Sequence, residues 1–171
     1  GTALDTEHLA VAATSGDTPH RRCLGHLLLA LTQAAAGDWT AALTSLHAAL
    51  REGTDLDTPD VLAHLGNVAL HLGDDEAHRR CFTRMLTAAR DSAAVMTVLY
   101  ALPRLGFSQF TTGRWADLRR SADEALSLSA SAGKHPLGAV PLGQLALLAA
   151  VQGRPAPELD ALLADLDAAA S

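Results

Sequence analysis

The chain has 171 residues, of which 49% are apolar, 19% charged and 4% aromatic, with a formal net charge of −6. That apolar content rules out a disordered chain, and the length suits one domain or a short stack of repeats. The balance of 13 Lys and Arg against 19 Asp and Glu argues against a nucleic-acid surface or an anionic membrane as partner.

The N-terminus, Gly1-Thr2-Ala3-Leu4-Asp5, lacks the basic and apolar regions of a signal peptide. Leu9 precedes Gly16 by seven residues, as Leu126 precedes Gly133. Residues Leu4 to Ser15 therefore read as the second helix of an earlier hairpin, and 1–16 as a half unit of a longer protein. Four glycine-marked breaks follow: Gly37-Asp38-Trp39, Gly73-Asp74-Asp75, Gly113-Arg114-Trp115 and Gly153-Arg154-Pro155. Their intervals are 36, 40 and 40 residues. Leu29-Ala30, Leu65-Gly66, Leu105-Gly106 and Leu145-Ala146 stand at one fixed offset before them, and Leu50, Leu86, Leu126 and Leu166 thirteen residues after.

Each unit reads as a helical hairpin. Val61, Leu62, Leu65, Val68, Ala69 and Leu72 have helical spacing before Gly73, and Trp39, Ala42, Leu43, Leu46, Ala49 and Leu50 have it after Gly37. Glycine permits the left-handed residue that ends a helix, and Asp38 and Asp74 suit the cap of the next one. The small residue at Ala30, Gly66, Gly106 and Ala146 lets two helices approach closely. Thr58-Pro59, Asp91-Ser92 and His135-Pro136 mark further helix starts. Pro103, inside the apolar stretch Ser92 to Thr112, predicts a kink or a split helix. No strand is expected. The units are 17–53, 54–90, 91–133 and 134–171, one repeat domain ending with a helix over Pro157 to Ala170.

These features resemble the tetratricopeptide (TPR) family. The residues that carry the resemblance are Leu65-Gly66-Asn67 with Gly73-Asp74, Gly37-Asp38-Trp39 with Ala41-Ala42-Leu43, and Leu105-Gly106 with Gly113-Arg114-Trp115 and Ala125-Leu126. Asp75 and Pro155 stand where the family has an aromatic, and the period of 40 exceeds its usual 34. The resemblance implies an all-α, right-handed solenoid of about four hairpins plus the half unit. Isoleucine is absent, and Lys134, Asn67 and Tyr100 are each the only residue of their kind, a bias that suggests a GC-rich, actinobacterial genome. With that bias, the Gly-[Asp/Arg]-Trp turns and alanine-rich helices are similar to the helical repeat region of large ATP-binding LuxR-type regulators. Neither flanking module is present in this sequence, which holds no phosphate-binding Gly-rich loop and no basic recognition helix. The resemblance implies a cytoplasmic, non-catalytic segment that binds a protein partner or a small-molecule effector, with no cofactor, no membrane and no direct nucleic-acid contact. Homo-oligomerisation is compatible with this. The alternative is a free-standing TPR scaffold.

Candidate chemistry is sparse. His64, His71 and His78 recur at intervals of seven with Cys81 nearby, but the break at Gly73 divides them, which argues against a metal site. His26 lies one turn from Cys23, a spacing that more often means core packing than an activated thiol. Cys23 and Cys81 suit a reducing compartment. Trp39 and Trp115, two residues past a turn glycine, are expected to plug the corner of their hairpins. The candidate groove comprises Asn67, His71, Tyr100, Arg104, Phe107 and Phe110 on first helices, the helices that line the inner face in TPR proteins. Ordinary packing between hairpins is the competing expectation for the aromatics. The carboxylate clamp of co-chaperone TPRs is excluded, because Leu27 and Leu31 occupy its places in the first unit and Lys134 falls in a loop.

Overall fold

A computed structural model describes residues 12, 14–155 and 160. Most of the expected half unit 1–16, Leu166, and nearly all of the last helix, Pro157 to Ala170, lie outside the described residues. The described chain is all-α. Seven helices follow one another: α1 (Pro19–Ala35), α2 (Trp39–Glu52), α3 (Pro59–His71), α4 (Asp75–Asp91), α5 (Val95–Thr111), α6 (Trp115–Ser131) and α7 (Ala139–Val151). A short 3₁₀ helix, His135–Gly138, leads into α7.

Among the described residues, one turn is used six times. Gly37, Gly73, Ala93, Gly113, Gly133 and Gly153 have φ between 54° and 85°, the left-handed region where a Cβ is disfavoured. At Gly73 the amide donates to the Leu70 carbonyl at 3.1 Å, and the following Asp74 amide donates to the Ala69 carbonyl at 2.8 Å. The same pair closes the other five turns, satisfying helix-terminal carbonyls in the Schellman manner. From Gly73 onward the left-handed residue recurs every twenty residues, so one helix plus its turn is the true module. Two modules give the 40-residue interval of the sequence. The α2–α3 link is the exception. Gly53 has φ −86° there, and the Leu56 amide donates to its carbonyl at 3.1 Å.

Caps follow the sequence in part. Asp38 Oδ1 accepts from the Ala41 amide at 3.0 Å, and Asp74 Oδ1 from the Ala77 amide at 2.9 Å. Thr18 Oγ1 accepts from the Arg21 amide ahead of Pro19. Asp91-Ser92 does not cap α5. The cap is Ala94, with no side-chain hydrogen bond, because the helix restarts only after the turn at Ala93.

The chain divides into two compact units, residues 1–88 and 89–171. In the first, α1 packs on α2 and on α3. Cys23, Leu27, Leu46, Val61, Leu65 and Cys81 are among the buried residues of its core. The small residues do what close approach requires: a Cβ added at Gly66 would meet the Phe82 ring at 2.5 Å. In the second unit, α5 packs on α6 and α7, and α6 contacts both α7 and the 3₁₀ helix. A Cβ at Gly106 would strike the Gln144 amide at 2.5 Å, and Gln144 Nε2 donates to the Pro103 carbonyl at 2.8 Å. Leu65, Leu105 and Leu145 are 1%, 6% and 3% exposed and belong to the core, whereas their counterpart Leu29 is half-buried. Helix α5 is not split at Pro103. Leu99, Leu102, Leu105 and Gly106 are buried on both sides of the proline, and this packing outweighs the roughly 3 kcal/mol that an interior proline costs a helix.

Candidate functional site

The turn residue sets a common register for the first helices of the hairpins. Leu31, Asn67, Phe107 and Leu147 each lie six residues before a left-handed glycine, and all four are exposed. Ala35, His71, Thr111 and Val151 lie two residues before it and are exposed as well. Thirteen residues before it stand Leu24, Asp60, Tyr100 and Val140, of which only Tyr100 is half-buried. The spacings within this set, seven and four residues, are close to whole helical turns, so each first helix carries one outward stripe, opposite the buried Leu65, Leu105 and Leu145 on α3, α5 and α7 and the half-buried Leu29 on α1. In the first unit the stripe is apolar on α1 and polar on α3. In the second it is largely apolar on both α5 and α7. Leu31, Phe107 and Leu147 are 41%, 45% and 49% exposed, large apolar surface that the unit cores leave uncovered.

The six candidate groove residues divide between the units. Asn67 and His71 belong to the first, and both are exposed on α3. The His71 ring lies 6.5 Å from the Trp39 ring, centroid to centroid. Tyr100, Arg104, Phe107 and Phe110 belong to the second unit. Tyr100 and Arg104 come together, the guanidinium carbon sitting 4.2 Å from the ring centroid in a cation–π arrangement. Phe107 is exposed, whereas Phe110 is half-buried and lies off the stripe.

Tyr100 and Arg104 line a pocket of about 240 Å³ within the second unit. Met96, Leu99 and Pro103 of α5 line it with them. Pro136 and Leu137 of the 3₁₀ helix and Val140 of α7 complete its lining. Sequence spacing did not single out these last three residues. Only the register counted from the turn at Gly153 would have marked Val140 as the counterpart of Tyr100.

The remaining candidates have structural roles. His78 is fully buried, donates from Nδ1 to the Gly66 carbonyl at 2.8 Å and packs on Phe82. Among the described residues, no group of three His, Cys, Asp or Glu side chains is placed to hold a metal ion. Burial pushes the Cys23 and Cys81 thiols up to about 11, so both are protonated at neutral pH. Burial also lowers the pKa of His26, against the raising effect of Glu52. Trp39 and Trp115 are 53% and 39% exposed and plug no corner. Each is the first residue of its helix. Ion pairs are peripheral, such as Arg22–Glu52 at 2.8 Å and Arg90–Glu124 at 2.6 Å, and each contributes little. No described helix is long and apolar enough to cross a membrane. No protein-family model matches the chain, and no curated protein matches it.

Proposed function

We propose that the chain is a non-catalytic binding domain, a right-handed TPR-like solenoid of about four hairpins plus a half unit. In this reading it serves a cytoplasmic LuxR-type transcriptional regulator of an actinobacterium by binding a protein or small-molecule effector. The repeated Schellman turn and the contact of successive first helices within each unit support the repeat architecture. The protonated, buried thiols speak against nucleophilic chemistry. The observation that carries the binding role is the exposed stripe, with Leu31, Phe107 and Leu147 presented at one register.

A transcription reporter driven by the full-length gene product tests this reading. Leu31→Glu, Phe107→Glu and Leu147→Glu are expected to change the response at least tenfold while leaving helical circular dichroism intact. Three variants that all respond like the parent protein would refute the binding role. The sequence of the gene on either side of this segment separates regulator from scaffold. A phosphate-binding loop and a helix-turn-helix are expected for the former, and hairpins alone for the latter.

A further inference from the structure

The geometry points to a ligand class for the pocket between α5, the 3₁₀ helix and α7: a small monocarboxylic acid with an apolar body. This assignment rests on the binding-domain reading and narrows it to one site. Size is the first argument. A volume of about 240 Å³ lies below the roughly 300–1,000 Å³ of pockets for drug-sized ligands, which points to a smaller molecule.

Chemistry is the second argument. The walls are Met96, Leu99, Pro103, Leu137 and Val140, which offer apolar contact and no charge. Arg104 is the one charged residue among those lining the pocket. Its guanidinium lies across the Tyr100 ring, so the fork is held by an aromatic face at the edge of an apolar cavity. A planar, bidentate donor in that setting selects a carboxylate over a neutral group of equal size. The adjoining apolar surface takes the hydrocarbon portion. The chain's net charge of −6 repels anions at long range. Selection for the acid therefore falls to this local cation, which makes Arg104 the residue to test. Leu137 and Val140 are exposed, so a ligand would also cover apolar surface now in water.

The sequence supplies its own reporters. Tyr100 is the only tyrosine, and Met96 and Met85 are the only methionines. Met85 is buried and belongs to the other unit. Protein carrying 13C-methyl methionine and fluorotyrosine therefore gives two signals in the pocket and one control elsewhere. Octanoate is the probe acid, and octanamide its neutral match in size. Titration with octanoate to about 10 mM is expected to shift the Met96 and Tyr100 signals saturably and leave Met85 unmoved. Octanamide is expected to bind at least tenfold more weakly. Arg104→Gln is expected to bring octanoate down to the level of octanamide, while Arg104→Lys keeps most of the preference. A parental helical circular dichroism spectrum and an unchanged urea midpoint confirm that each variant is folded.

Absence of a saturable shift at Met96 and Tyr100 overturns the assignment. So does an equal response to octanamide, which reveals an apolar crevice only, or a Met85 shift of the same size, which reveals diffuse binding. Failure of octanoate beside an effective set of stripe variants removes the ligand class and leaves the binding role. Inert stripe variants remove that role whatever the titration shows.

Discussion

Ala93 holds a backbone conformation that a Cβ resists. It sits at φ 54° in the turn that carries glycine at the other five positions. The left-handed conformation costs a non-glycine residue roughly 1–2 kcal/mol, and glycine gives back about 0.4–1 kcal/mol through a looser unfolded chain. Ala93→Gly is therefore expected to stabilise the protein by about 0.5–1 kcal/mol, read as a higher urea midpoint at unchanged slope. A neutral or lower midpoint would mean that the turn is not left-handed. The two thiols give a second test at this scale. Each is raised from 9.0 to about 11 by burial, with smaller effects from neighbouring charges. The folded state then holds its protons more tightly than the unfolded state. The stabilising contribution is complete below pH 9 and is lost as pH rises towards 11. Denaturation midpoints are expected to fall over that range, and to fall less in the Cys23→Ala, Cys81→Ala variant. Identical pH profiles would contradict the burial of both thiols.

At the scale of the element, the repeating object is a helix of thirteen to seventeen residues closed by one hydrogen-bonded turn. Asp38 and Ala94 share the position after the left-handed residue, with φ/ψ of −88°/77° and −80°/75°. Asp38 caps its helix and Ala94 has no side chain to do so. Ala94→Asp is expected to accept from the Thr97 amide and add about 0.5–1 kcal/mol. No gain in the urea midpoint would show that the two turns are not equivalent. The hairpins, the glycine turns and the core leucines were legible because each follows from a local requirement: a left-handed φ, a cap or a helical stripe. The turn at Ala93 was not, since its residue carries no glycine signature, and Asp91-Ser92 drew the expected helix start too early. Trp39 and Trp115 misled because an aromatic beside a turn looks the same in sequence whether its ring faces core or water. The split half of the Pro103 expectation failed because the packing that keeps α5 continuous comes from residues distant in the chain, Gln144 among them. The pocket was half legible. Tyr100, the only tyrosine, stood out with Arg104 one turn on, whereas Leu137 and Val140 reach the pocket only through the path of the 3₁₀ helix.

Over the whole molecule, two compact units share one turn, one helix register and a negative charge of −6. The 13 cations are spread among acidic neighbours, as in Arg79–Glu76, Arg114–Asp117 and Arg120–Asp117. No duplex DNA binding is expected at physiological salt, since phosphate neutralisation needs a cationic surface. A micromolar dissociation constant that weakens steeply with added salt would contradict this. In the proposed function, the outward stripe of the first helices is the working surface. Site-specific photo-crosslinking in the producing cell tests it most directly. A photoreactive phenylalanine analogue is placed at Leu31, Phe107 or Leu147, and for comparison at Thr44, Thr83 or Asp123, which are exposed on second helices. The expected result is a discrete adduct from the first-helix positions and none from the second-helix positions. Adducts of equal yield from both sets, or none from the first helices, would contradict the claim.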